Sequence, residues 1–276
     1  MLPFIHIGSM DFATYGICLV TGFFVGYYIL RAELKRRAIV AVPALEVVFA
    51  LALCALVCSK LYLAVEDPGT YLLDPSLLLQ RTGFTYYGGL IGDVIAVALL
   101  ARRYQVPMLT LCDTLSVGCT FGFGIGRIGC FLAGDGDYGI PTSLPWGMSF
   151  PHGLVPTTQF VHPAPLYEFA TSALIAIWLW RQGSPSRQPR LPDGEIFALF
   201  LIWTGAARFL VEFIKLNPPV FHWLVNAQLV AVISIVAGTV LYRVLHSTAA
   251  RAPHRAKSLA DLSEIPMSSA QRTEAS

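Results

Sequence analysis

The chain has 276 residues, of which 55% are hydrophobic and 13% are charged, and its mean hydropathy is +0.62. Soluble domains carry about 25% charged residues, so this chain has too little polar surface to cover itself in water, and the composition excludes an ordinary soluble enzyme. The net charge of +2 comes from basic residues scattered along the chain, which argues against a nucleic-acid partner and makes their position relative to the apolar runs the informative quantity.

The opening MLPFIHIGSMDF has no basic segment ahead of its first apolar run. That run is therefore expected to stay as a membrane span rather than be cleaved as a signal peptide. A spanning helix needs about 20 mostly apolar residues. Seven stretches qualify: 11–31, 43–64, 84–101, 107–127, 164–181, 195–214 and 223–245. Short polar or proline-bearing segments separate most of them, and 128–163 is the longer exception, rich in Gly and Pro. From 247 onward the chain is Ser-, Ala-, Arg- and Pro-rich without periodicity, which predicts a disordered tail. The expected organisation is an all-α integral membrane protein: a seven-helix domain over 1–246 with an outer loop at 128–163, then a cytoplasmic tail over 247–276. Of the six cysteines, five lie inside apolar runs and Cys130 closes one. They read as unbridged small apolar residues, and no CxxC pair offers a zinc site. No metal and no cofactor is expected.

Lys and Arg accumulate in cytoplasmic flanks. The segments after the first, third, fifth and seventh stretches hold 14 of the 19 basic residues, including Arg31, Lys35, Arg102, Arg103, Arg181 and Arg243. The other side holds Lys60, Arg81, Arg127, Arg208 and Lys215. Seven crossings with the N-terminus outside and the C-terminus in the cytoplasm satisfy this bias; six or eight would scramble it.

Depth then follows. Tyr15, at the start of the first span, and Tyr87, at the start of the third, come to the outer surface together with Arg127 and Arg208 at or near the ends of the fourth and sixth. A charge at bilayer depth is costly and by default marks a functional site. Glu212 stands four residues after Arg208 as a helical partner. Asp135 and Asp137 are available to Arg127. Two arginines at one depth suit an anion, since the guanidinium fork matches phosphate oxygens; an internal ion pair that locks the bundle is the bland alternative. Gly118, Gly122 and Gly126, and again Gly88 and Gly92, form smooth stripes for close helix approach. Gly129, Gly134, Gly136 and Gly139 suit a tight loop after the fourth span. Asp93 and Asp113 are expected to hydrogen-bond a neighbouring helix or to serve a proton path.

Five motifs occur in one order over about 225 residues: YGGLIG (87–92), GRIGCF (126–131), HPAPLYE (162–168), GAARFLVEF (205–213) and NAQL (226–229). With the opening FIHIGSMDFATYG (4–16), they resemble the bacterial prolipoprotein diacylglyceryl transferases. The resemblance implies a seven-span inner-membrane transferase with its site toward the outer leaflet. The donor is phosphatidylglycerol, the acceptor is the lipobox cysteine thiol of a secreted preprotein, and glycerol phosphate leaves. It also implies site residues. Arg127 and Arg208 fall on the two essential arginines, and Glu212 on the acid after the second. Tyr15, Gly139, His162, Glu168 and Gln228 fall on further motif positions. The signature usually reads Gly-Arg-x-Gly-Asn-Phe-x-Asn-Gly-Glu. Here Cys130 and Ala133 replace the asparagines, Asp135 stands near the glutamate, and the loop is one residue longer. Tyr87 replaces the histidine that opens the third-span motif.

These departures fall on proton abstraction and substrate choice and leave both arginines in place. Thiolate is the nucleophile, and Tyr87, His162 and Asp135 remain rival proton acceptors. Tyr87 and His162 are set beside the arginines as catalytic candidates. Tyr15, Cys130, Asp135, Gly139, Glu168, Glu212 and Gln228 are candidate substrate contacts. Two other classes stay open: a relative that binds phospholipid but uses another acceptor or has lost transfer, and an anion or lipid transporter, although no internal repeat relates two halves of the chain.

Overall fold

The computed structural model describes every residue except 9, 80–84, 185–190, 218–224 and 264–276. The flank residues Arg81, Arg187, Arg190 and Arg272, the first residues of two predicted spans (84 and 223–224) and the end of the tail lie outside the described residues. Among the described residues seven long helices occur, each over a predicted span: α1 Thr14–Arg36, α2 Ala44–Glu66, α4 Tyr86–Tyr104, α5 Met108–Ala133, α6 Ala164–Gln182, α7 Glu195–Glu212 and α8 Asn226–Ser263. The short helix α3, Pro68–Leu73, follows α2. By length and composition, four are apolar enough to cross a membrane: α1, α2, α5 and the Asn226–Ser247 part of α8. Along α2, Leu45, Phe49, Leu53, Leu56, Leu61 and Val65 are all exposed. A helix this apolar with so little covered has lipid as its solvent.

Two boundaries differ from expectation. Nothing in IGCFLA breaks a helix, so α5 runs past Arg127 to Ala133 and ends at Gly134 in the left-handed region (φ +60°). Arg127 thus lies about 9 Å below the helix end, at 1.5 Å per residue, and the loop begins at 134 rather than 128. At the other end of the chain, α8 continues to Ser263, where an irregular tail was expected.

The helices pair as α1 with α5, α2 with α4, α5 with α6, and α7 with α8. Glycine makes two of these contacts close. Gly22 of α1 meets Gly122 of α5, and a Cβ on Gly22 would lie 2.9 Å from the Gly122 carbonyl oxygen. Gly88 and Gly92 of α4 press on the α2 backbone at Cys58 and Cys54. Gly126, expected in the same stripe as Gly118 and Gly122, faces open space.

The end of the molecule where α5 finishes carries short strands. β1 (Phe4–Ile7) and β2 (Met10–Ala13) form a hairpin tied to α5 by Leu2 N–H donating to the Leu132 carbonyl, 3.0 Å. β3 (Met148–Phe150) pairs with β4 (Thr157–Val161). Residues 140–142 run along the other side of β4, and Ile140 N–H reaches the Ile214 carbonyl just after α7 at 2.8 Å. At the opposite end, Asp113 of α5 accepts from Gly194 N–H (2.9 Å), Phe197 N–H (2.8 Å) and Arg37 (3.3 Å). It thereby joins α5 to α7 and α1, as expected of a buried carboxylate. Asp93 has no such bond among the described residues. All six cysteines are free.

Candidate active site

Arg127, in the last third of α5, reaches two elements. Its Nη1 donates to Asp137 at 2.5 Å and lies 3.2 Å from the Cys130 Sγ one turn further along. Its Nε lies 2.9 Å from Glu168 Oε2 on α6. Arg208 on α7 meets the other oxygen, Oε1, at 2.5 Å, and pairs with Glu212 one turn on at 3.3 Å. Glu168 is therefore the acid on which both arginines converge. A third cation completes the cluster. Lys215 Nζ lies 3.1 Å from Asp137 and 3.6 Å from Glu168, and its side chain is 2% exposed. Three cations face three carboxylates. Buried charge is tolerable only when paired in this way.

The loop geometry explains how Asp137 arrives. Gly134 and Gly136 both adopt positive φ, which turns the chain back over the end of α5. The Asp135 side chain accepts the Asp137 N–H at 3.2 Å, a local turn typical of Asp. Gly139 bridges to Lys215, and a Cβ there would run into the Ile214 carbonyl and the His162 Cβ. Only glycine lets this loop lie flat on the segment that carries Lys215. Burial by itself would raise the Asp137 carboxyl; Arg127 and Lys215 outweigh it and hold the group below the usual carboxylate range.

Below the cluster lies a cavity of about 660 Å³ with a mainly apolar lining. Arg127, Glu168 and Arg208 line it at one end, with Tyr87 of α4 and Asn226 of α8. Its other lining residues reach Cys119, Ile175, Phe200 and Ser234. From Arg127 to Cys119 and from Arg208 to Phe200 is about 12 Å along each helix. A charged rim over an apolar shaft of this size suits an amphiphile with an anionic head.

The other expected residues divide. Tyr15 stands on α1 against Gly129, close enough to feel the charges of Arg127, Asp135 and Asp137. Cys130 is buried, and its sulfur shares a corner with the carboxyls of Asp135 and Asp137. His162 does not join the cluster: its Nδ1 lies 3.2 Å from the Tyr167 hydroxyl, which also accepts from Trp146 Nε1 at 2.8 Å. Gln228 does not line the cavity; it caps the start of α8, its Oε1 accepting Val225 N–H at 3.1 Å. Lys215 was absent from the sequence-derived set. It follows Arg208 and Glu212 at seven and three residues, one helical face continued past the helix end, and that spacing was the available signal.

Fold and site together define a multi-pass membrane protein built around a buried cluster of ion-paired cations that opens on a lipid-sized cavity. Residues 3–244 match the family model described as prolipoprotein diacylglyceryl transferase. The chain is 32% identical over 219 residues to a phosphatidylglycerol–prolipoprotein diacylglyceryl transferase of Geobacter sulfurreducens, covering 77% of this chain and 81% of that protein. It is 36% identical over 219 residues to the enzyme so named in Azotobacter vinelandii (76% and 80%), and 31% identical over 221 residues to that of Bordetella avium (76% and 80%). The chain belongs to the prolipoprotein diacylglyceryl transferase family.

Proposed function

We propose that this chain transfers the diacylglyceryl group of phosphatidylglycerol to the lipobox cysteine thiol of a preprotein, at the outer leaflet of a bacterial inner membrane. The observation that carries the proposal is the convergence of Arg127 and Arg208 on Glu168 at the charged rim of an apolar cavity. In this reading the phosphate sits at the arginines and acyl chain enters the cavity. The thiolate attacks the glyceryl carbon, the carbon–oxygen bond to phosphate breaks, and glycerol phosphate leaves with the electron pair. Arg127, Arg208 and Lys215 stabilise the charge that gathers on the leaving oxygens. Tyr87 relays the thiol proton, its hydroxyl oxygen accepting it while its own proton passes to an oxygen of the leaving glycerol phosphate; its place in the wall of the cavity that Arg127 and Arg208 also line supports this role, whereas His162 is engaged by Tyr167. Tyr15 and Asp135 flank the approach of the thiol. Glu168 and Glu212 orient the arginines, and Gly139 and Gln228 hold the loop and the start of α8. In this reading the chain crosses the membrane seven times with its N-terminus outside, and the rim lies in the outer leaflet.

The test is thiol transfer in vitro. Purified protein in mild detergent, given phosphatidylglycerol and a lipobox peptide, should yield a diacylglyceryl adduct by mass spectrometry. Arg127→Ala should lower the rate by at least about a hundredfold. Full activity in that variant would sink the proposal.

A further inference from the structure

We propose that Asp137 is a resident anion of the empty site, exchanged for the lipid phosphate, with residues 135–138 as the moving segment between the anchored Gly134 and Gly139. This rests on the reading of the site as a phospholipid site. Charge balance is the starting point. Arg127, Arg208 and Lys215 face Asp137, Glu168 and Glu212, and each cation already has a carboxylate within 3.5 Å. A phosphodiester brings one more negative charge to a cluster with no cation to spare. Crowding a fourth anion into it is unfavourable, so one carboxylate has to give up its place.

Two of the three cannot move. Glu168 and Glu212 sit on helices with side chains 4% and 0% exposed. Glu168 is held by Arg127, Arg208 and Lys215, and Glu212 by Arg208 and Asn217. Asp137 differs in every respect. Its side chain is 34% exposed. It rides on a loop with three glycines, two of them at positive φ. Its backbone N–H is held by the neighbouring Asp135 side chain and belongs to no strand ladder. Its two oxygens lie on Arg127 Nη1 at 2.5 Å and Lys215 Nζ at 3.1 Å. That two-oxygen, two-cation arrangement is the one a phosphate would make. The cations that depress the Asp137 carboxyl are the ones the lipid would claim. The exchange also explains how buried cations stay poised before a lipid arrives.

The rival role for Asp137 is a fixed support that aims Arg127. The two roles predict opposite changes in affinity. In Asp137→Asn the side chain keeps its size and one acceptor but loses its charge. Binding of short-chain phosphatidylglycerol to the purified full chain, with glycerol phosphate as a headgroup competitor, is the readout. If exchange is correct, the variant binds both about tenfold more tightly, because apparent affinity is reduced by the fraction of sites that are closed. Diacylglycerol, which has no phosphate, should bind unchanged. Equal or weaker phosphatidylglycerol binding in the folded variant overturns the exchange and leaves Asp137 a support. Asp137→Ser removes the same charge with a smaller group, and failure of both variants to fold also overturns it. Thiol transfer by the wild-type chain, run in parallel, separates the two readings. An adduct with unchanged affinity overturns only the exchange. Tighter binding without any adduct keeps the exchange and overturns transfer.

Discussion

Lys215 carries a charge on a side chain that is 2% exposed, and it lies beyond the last turn of its helix. Its neighbours Arg208 and Glu212 were legible because they share a helix and a four-residue spacing. Lys215 and Asp137 meet only after a loop folds back on a segment 78 positions away, which no local pattern encodes. The same limit applies to the proton acceptor. Tyr87, His162 and Asp135 were rival acceptors in the sequence, and the structure sets Tyr87 in the cavity wall while His162 bonds Tyr167. Tyr87→Phe should therefore cut transfer by about 10²–10⁴-fold, the range for a lost general base, with phosphatidylglycerol binding retained. His162→Gln should stay within a few-fold of wild type. Rates at saturating lipid, measured beside binding, check both. A collapse of transfer in His162→Gln with Tyr87→Phe intact would move the base to the loop.

At the scale of elements, the seven long helices were legible as apolar runs near the length a bilayer requires, and four of them are long and apolar enough to cross one. The strands were not, since all four are three to five residues long: β1 and β2 pair in the N-terminal hairpin, and β3 pairs with β4 inside the loop between α5 and α6. Glycine spacing marked the close helix pairs but not which glycine is used: Gly92 is crowded by the Cys54 carbonyl, and Gly126 is not crowded at all. This difference has a measurable result. Gly92→Leu must push α4 off α2, at a cost of about 1–3 kcal/mol for overpacking. It should also shift Tyr87, five residues nearer the start of α4 on the cavity wall. The expected outcome is a lower unfolding temperature in detergent together with reduced transfer. Gly126→Ala, which meets open space, should leave the unfolding temperature unchanged. Equal stability in the two variants would mean that the α2–α4 contact is not tight.

At the scale of the molecule, the helices alternate between two ends of different chemistry. One end gathers Arg127, Arg208 and Lys215 with the short strands and the N-terminal hairpin. The other joins Arg37 to Asp113 at 3.3 Å, Thr110 to Asp193 at 2.8 Å and His246 to Glu195 at 3.2 Å. Arg102 and Arg103, in the last turn of α4, and Arg181, in that of α6, belong to the chain's basic flanks. Under the proposed orientation the basic flanks lie in the cytoplasm and the paired cluster faces out, which requires an odd number of crossings with hairpin and tail on opposite sides. Reporter fusions count the crossings directly. A phosphatase that is active only outside the cytoplasm should work when joined after Gly147 in the outer loop. It should be silent after Gln105, between α4 and α5, and silent after Leu245 on α8. Activity after Leu245 would make the number of crossings even, put both chain ends outside, and remove the orientation on which the outer-leaflet site depends.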